Sequence, residues 1–232
     1  MRPFLCRWEE LPEGIRIPEV RPYWEALDAR YGQLVAKRAL DVAGTLGLLV
    51  VLSPVMAAAA IAVKADSPGP VMYRQERVTQ YGRHFRIHKF RTMVANADKI
   101  GALVTTDRDP RITRVGEFLR KYRIDEFPQL LDILVGDMAF VGTRPEVPKY
   151  VAEYEPEWFS TLLLPAGVTS RASVEFKDEA ELMSGAEDAG AAYVSDVLPE
   201  KMALNLRSVE SFSVLNDLLV VLSTVTGVFG IG

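Results

Sequence analysis

The longest unbroken apolar stretch runs from Val42 to Val63, VAGTLGLLVVLSPVMAAAAIAV, and holds no charged residue. Lys37, Arg38 and Asp41 precede it and Lys64 follows. As one straight helix it is long enough to cross a hydrocarbon core. Ser53 and Pro54 fall in its middle. Proline removes a helical hydrogen bond and crowds the preceding turn, so a kink is expected there. Each half then reaches roughly 15 Å, about half of an ~30 Å core. Basic residues at both flanks select no side by charge bias. A re-entrant hairpin with both ends on one face, a simple span and a buried pair of soluble helices are all compatible with this pattern.

A second pattern centres on 111–146. Val115, Phe118, Leu119 and Tyr122 recur at helical spacing from about Thr113 to Arg123. Pro128 suits the first turn of a second helix, Gln129 to Val135 continues it, and Gly136 ends it. The remaining pattern is weaker. Residues 1–32 show no sustained period, and Pro3, Pro12, Pro18 and Pro22 predict an extended arm with one short helix near Tyr23 to Tyr31. Trp8, Leu11, Ile15 and Leu27 could pack against a body. Val71 to Arg77 reads as a short strand or extended crossing, and Gly82 supplies a turn before Phe85 to Phe90. Ala95 to about Gly101 reads as a helix and Thr105 to Pro110 as a polar loop whose Asp107 and Asp109 could meet a cation. Pro148 to Trp158 is an amphipathic candidate, for headgroup depth or for packing. Pro165 to Thr169 reads as a turn, Ser170 to Phe176 as extended, and 177–191 as an acidic helix and surface loop. Leu198 to Ser213 reads as a long helix with a break near Asn216-Asp217. The apolar Leu218 to Ile231 is expected to dock on the body or the membrane interface.

Composition narrows this picture. The chain has 232 residues, one cysteine and two histidines, with a net charge of -4. Cys6 alone excludes an internal disulfide framework and reads as a spare thiol near the terminus. His84 and His88 are four apart, a spacing that suits a metal on a helix, but RHFRIHKF reads as a strand or irregular basic segment. Nothing calls for nucleic acid. No cleavable signal pattern precedes the apolar run.

The candidate chemistry lies between the two central helices. Asp125 and Glu126 are adjacent, near the start of the second helix, where the helix field favours ionised carboxylates. Arg111, Arg114, Arg120, Lys121 and Arg123 lie upstream and Arg144 downstream. The plainer reading is a capped helix start beside a solvated charge run. Carboxylates ringed by arginines among apolar helices also suit phosphate chemistry. Lys89, Arg91 and Thr92 in HKFRTM form a further basic cluster, for phosphate or for anionic headgroups. Pro145 holds Arg144 extended, and Arg171 is another candidate for phosphate.

From about Lys37 onward the chain resembles the bacterial sugar transferases, specifically the small monotopic phosphoglycosyl transferases. KRALD and the Ser-Pro pair, SPGPVMYRQERV, FRIHKFRTM, the central run ending VGTRP, and PAGVTSRASV carry the resemblance in order. Thr143 stands where proline is common, and Ile124, Phe127 and Phe140 also depart from the usual pattern. The resemblance implies an α/β but predominantly helical, compact monotopic membrane enzyme. Residues 1–33 would be an accessory segment and 34–65 a re-entrant hairpin broken at Ser53-Pro54. Residues 66–232 would be a catalytic domain with interfacial amphipathic helices. It implies Asp125 as nucleophile, Glu126 as its essential neighbour, and both as magnesium ligands. Lys89, Arg91, Arg120, Arg144 and Arg171 would bind substrate. The donor would be a nucleoside-diphosphate sugar, usually a UDP-sugar, and the acceptor polyprenyl phosphate. The setting would be the cytoplasmic face of a bacterial inner membrane, among phospholipids and downstream glycosyltransferases. An anionic-lipid scaffold and a lipid-phosphate hydrolase are the competing functions. The sugar and the oligomeric state, a dimer included, are not selected by these residues.

Overall fold

The structure is a computed structural model, and it describes residues 4–97, 109–175 and 189–229. Helices dominate, with two small two-stranded sheets. A short helix α1 (Arg21–Asp28) leads into α2 (Tyr31–Asp66), the longest element. Strands β1 (Met72–Val78) and β2 (His84–Phe90) pair antiparallel, Met72 opposite Phe90 and Val78 opposite His84. Helix α3 (Arg114–Lys121), a 3₁₀ turn (Ile124–Glu126), α4 (Gln129–Val135) and β3 (Met138–Val141) follow. Then come α5 (Pro148–Val151), a 3₁₀ stretch (Pro156–Leu163), β4 (Ala166–Thr169) and α6 (Arg171–Glu175). Helix α7 (Ala189–Ala192) and a π-helical turn (Tyr193–Val197) lead into α8 (Leu198–Glu210), and α9 (Val214–Phe229) closes the described chain.

The 36 residues of α2 make roughly 54 Å of helix at ~1.5 Å per residue. Among the described residues it is the one helix long and apolar enough to cross a membrane. The expected break is not an interruption, because the helix runs through Pro54. Pro54 has no N–H for the Val50 carbonyl four residues back. The Ser53 hydroxyl donates to that carbonyl instead, at 2.9 Å. One lost bond is thus replaced locally and the helix continues. Val50, Val51 and Ile61 remain 70–76 % exposed, so this stretch turns an apolar face outward.

Both ends of α2 are bound to the same body. At the start, Lys37 Nζ donates to the Val141 carbonyl (2.8 Å) and pairs with Asp217 (2.6 Å). Arg38 donates to the Ile133 and Leu134 carbonyls, filling the C-terminal end of α4. At the far end, Arg91 donates to the carbonyls of Ser67 (2.7 Å) and Pro68 (2.5 Å). The Val115 N–H donates to Asp66 there.

The principal core draws on both sides of α2 in sequence. Leu5, Leu11, Val20 and Leu27 from the arm pack with Tyr150, Trp158, Leu163, Leu198 and Met202 from the far end of the chain. The arm is therefore part of the main core rather than only an appendage. Cys6 is buried with it, correcting its reading as a loose terminal thiol; its backbone N–H donates to the Tyr81 hydroxyl. Tyr150, Tyr154 and Trp158 also go inward, which decides packing over headgroup depth for that segment. Smaller clusters join α2 to β2 and the central helices. Leu49 and Leu52 meet Phe85, Leu130 and Ile133; Ala59 and Val63 meet Phe90 and Leu119.

Two local expectations are overturned. Ala166–Thr169 is a strand parallel to β3, with Met138 opposite Ala166, and not a turn. The residues after it form α6 rather than an extended piece, with Ser170 Oγ accepting from the Ser173 N–H. The break before the last helix falls at 211–213, ahead of Asn216-Asp217. The helix expected from Ala95 to Gly101 lies mostly outside the described residues, as do Asp107 and most of 177–191.

Candidate active site

The central motif folds as its local signals dictate. Thr113 caps α3, its hydroxyl accepting from the Gly116 N–H at 3.0 Å. Gly116 is required for close approach: a Cβ there would overlap the Thr92 backbone. Arg123 adopts a left-handed conformation (φ 55°) and swings the chain into the Ile124–Glu126 turn. Gly136 (φ 92°) ends α4 in the same region of backbone space. Asp132 ties α4 to β2. That fully buried carboxylate accepts from the His88 N–H (2.9 Å) and pairs with His88 Nδ1 (2.6 Å). This contact between α4 and β2 joins residues 44 apart in sequence, which no local pattern signals.

Asp125 and Glu126 are both buried, but their surroundings differ sharply. Glu126 Oε1 accepts from Lys89 Nζ at 2.9 Å and Arg144 Nη2 at 2.5 Å, with Arg123 at 3.9 Å. Burial raises the Glu126 carboxyl, yet the pull of Arg144, Lys89 and Arg123 outweighs it and holds the group well below the ordinary carboxylate range. Asp125 makes no hydrogen bond or ion pair among the described residues, and its Oδ1 is sealed from solvent without a partner. Burial first, then the neighbouring Glu126 charge, push its carboxyl up; Lys89, Arg120 and Arg123 oppose this without reversing it. One member of the pair is thus a fixed anion and the other an unpaired carboxylate.

The remaining site candidates divide. Lys89 and Arg144 converge on Glu126, and Arg120 lies close enough to bias Asp125. Arg91 is buried and spent on the carbonyls at the end of α2. Arg171 is exposed on α6 and pairs with Glu175 at 3.3 Å. Ser53 and Pro54 sit in mid-helix. Asp109 is held by Arg111, at 2.5 Å. His84 pairs with Glu76.

A cleft of about 770 Å³ opens at Glu126. Leu40, Leu48 and Leu52 of α2 form one wall and Leu218, Val221 and Val225 of α9 the other. Phe127, Leu130, Phe140 and Val168 also line it. Lys121, Arg123, Glu126 and Arg144 supply charge along the same cleft. The space therefore combines an apolar channel with a basic, acid-bearing patch.

A profile described as "Bacterial sugar transferase" matches residues 32–230. The chain belongs to the bacterial sugar transferase family. It is 45 % identical over 121 residues to the UDP-N-acetylgalactosamine-undecaprenyl-phosphate N-acetylgalactosaminephosphotransferase of Aeromonas hydrophila, a match covering 52 % of this chain and 29 % of that protein. It is 42 % identical over 129 residues to the putative undecaprenyl-phosphate N-acetylgalactosaminyl 1-phosphate transferase of Bacillus subtilis, covering 56 % and 71 %. It is 34 % identical over 199 residues to the exopolysaccharide production protein PSS of Rhizobium leguminosarum bv. phaseoli, covering 83 % and 94 %. The match thus spans less than a third of the Aeromonas transferase and nearly all of the Rhizobium protein. Membership of this bacterial sugar transferase family bears out the resemblance carried by the ordered motifs.

Proposed function

We propose that this chain is a phosphoglycosyl transferase. It moves a phosphosugar from a nucleoside-diphosphate sugar, a UDP-sugar by its relatives' names, to polyprenyl phosphate. The observation that carries the reading is the asymmetry of the acid pair: Glu126 is pinned by Lys89 and Arg144 while Asp125 is buried and unpaired. A carboxylate bound by no cationic side chain keeps lone pairs for attack and for a metal ion. Asp125 attacks the sugar-bearing β-phosphorus; the bond from that phosphorus to the bridging oxygen breaks, and UMP leaves with the electron pair. The phosphosugar is then held on Asp125. A phosphate oxygen of the acceptor attacks the same phosphorus, the aspartyl oxygen–phosphorus bond breaks, and the carboxylate is regenerated. Lys121, Arg123 and Arg144 lie where they would meet phosphate charge, and the apolar walls of α2 and α9 suit an isoprenoid tail.

The acid pair also fits magnesium, which binds through one or two carboxylates together with substrate phosphates. The ion pairs of Glu126 all fall on Oε1, and Asp125 has none. Asp125 and Glu126 would hold the ion, and when bound it would neutralise charge on the transferring phosphoryl group.

The same reading places α2 in the cytoplasmic leaflet of a bacterial inner membrane as a re-entrant helix. The principal core supports this. It joins residues before α2, such as Leu5 and Leu27, to residues after it, such as Trp158 and Leu198. A helix crossing the bilayer would separate these partners. Pro54 offers the place to bend, and the outward face at Val50 and Val51 the surface to immerse. Arg30→Cys and Lys64→Cys should therefore react with an impermeant thiol reagent from one side only; labelling from opposite sides would defeat the hairpin. For the chemistry, purified protein given UDP-sugars and undecaprenyl phosphate should release UMP and form lipid diphosphate-sugar. UMP without lipid product would indicate hydrolysis, and neither would indicate a lipid-binding scaffold.

A further inference from the structure

Gln129 is 1 % exposed, and neither end of its carboxamide has a hydrogen-bond partner. Buried polar groups are almost always satisfied, so a fully unmet carboxamide calls for a reason. The other unmet oxygen nearby is Asp125 Oδ1. The two lie one tight turn apart. Backbone hydrogen bonds from the Phe127 N–H to Ile124 O, from Leu130 to Phe127 and from Leu131 to Pro128, each spanning three residues, carry the chain from the 3₁₀ acid turn into α4. Gln129 opens α4 four residues after Asp125, and the unmet groups of both are buried there. Asp132, one turn along α4 from Gln129, is fully buried and bound to His88, so that side of α4 lies against β2 rather than solvent.

Building on the proposed transfer reaction, we infer that Gln129 is a positioning residue for the nucleophile. Its Nε2 donates to Asp125 Oδ1 as attack occurs, which leaves Oδ2, the oxygen that is not sealed off, as the attacking atom. The Oδ2–phosphorus bond forms and the bond to the bridging oxygen breaks, with UMP taking the electron pair. Oδ1 then becomes the carbonyl oxygen of the acyl phosphate and keeps the same donor. An amide suits this place because it orients the carboxylate without the counter-charge that pins Glu126. The unmet groups of the free protein become met along the reaction path.

Gln129→Met tests this, since methionine preserves length and apolar volume and removes the donor. With the full chain in detergent or nanodiscs, three quantities are read: melting temperature, donor KM, and the single-turnover rate of phosphosugar adduct formation by intact mass. The expected result is a melting temperature at or above wild type, a donor KM changed less than about twofold, and an adduct rate lowered about tenfold or more. A wild-type adduct rate in Gln129→Met overturns the inference, as does a rate that falls only in step with melting temperature. Should the Met protein not fold, Gln129→Glu serves: it keeps the shape, loses the neutral-pH donor and adds charge beside Asp125, so its adduct rate should be lower still. An adduct rate equal to wild type in that variant overturns the inference as well. Failure of the underlying transfer reading looks different: the wild-type protein then gives no adduct with any donor, and both fall together.

Discussion

Two buried acids lie on either side of the loop that carries Arg144, and they are built differently. Glu146 sits in the principal core, accepting from the Tyr193 hydroxyl at 2.5 Å, with Lys201 Nζ 3.0 Å from that hydroxyl and 3.7 Å from the carboxylate. No atom of these three is left buried without a partner. Glu126 is as heavily engaged, but the adjacent Asp125 is not. Where the buried charge is complete it anchors the chain, here the Arg144-Pro145-Glu146 stretch, which Arg77 also holds through the Pro145 carbonyl. Where it is left incomplete, at Asp125, a carboxyl oxygen remains without a partner, as the proposed nucleophile requires. Burial and charge alone do not mark a site; the unfilled partner does.

The largest effect expected is at Asp125. Asp125→Asn should lower adduct formation by roughly 10³-fold or more, measured by intact mass after donor addition. The same change should raise the melting temperature. The Asp125 carboxyl is raised in the folded state, so its favourable contribution is present below the unfolded value and lost as pH rises through the folded one. At neutral pH the ionised group is therefore a liability that Asn removes. An adduct that persists in Asp125→Asn, or a lower melting temperature, would break the contrast drawn here.

Next comes the exchange of one cation from each cluster. Lys201→Met should cost about 3–5 kcal/mol of stability, because it strips a fully buried pair. Its adduct rate per folded molecule should stay within about threefold of wild type, since the site keeps its own charges. Arg144→Met should cost less, on the order of 2 kcal/mol, because Arg144 is partly exposed and Lys89 still holds Glu126. Its adduct rate should nevertheless collapse. Urea unfolding paired with single-turnover assays reads both, and equal activity losses in the two variants would erase the distinction.

The smallest effect is in pH. With its carboxyl raised, Asp125 should lose activity on acidification at a pH above the ordinary aspartate value of about 3.9. Glu126→Gln removes the like charge and releases Lys89 and Arg144 to act on Asp125, so the acid limb should move downward. For Glu126 itself the sign is opposite. Its depressed carboxyl stabilises the fold above the unfolded value, and that contribution fades as pH falls through the folded one. An acid limb unmoved or shifted upward in Glu126→Gln would show that the two acids do not sense each other.

The acid-bearing turn was legible in the sequence because its signals are local. Thr113, Pro128 and Gly136 each act within one helical turn, and the helices form where they predict. Strand β1 and the turn at Gly82 were legible for the same reason. Strand β4 was not. Pro165-Ala166-Gly167 reads as a turn by itself, and only β3, far back in sequence, makes it a strand. Gly167 and Gly142 serve that pairing: a Cβ on either would strike the opposite backbone. The start of α6 did carry a missed signal, Ser170 at the capping position. The contrast in the surroundings of the two acids was beyond sequence reading, because Lys89 reaches Glu126 from another element. Arg91, two residues along, is turned instead to the end of α2.

The arm in the principal core also has a consequence for synthesis. Leu5 and Leu163 share that core but are 158 residues apart (163 minus 5). At ~5–20 residues per second, a nascent arm waits roughly 8–32 s for its partners to emerge. Helix α2 leaves the ribosome within that interval, so it meets the membrane before the core can close. Assembly then ends with the earliest residues made and some of the last finding each other, after α2 has formed between them.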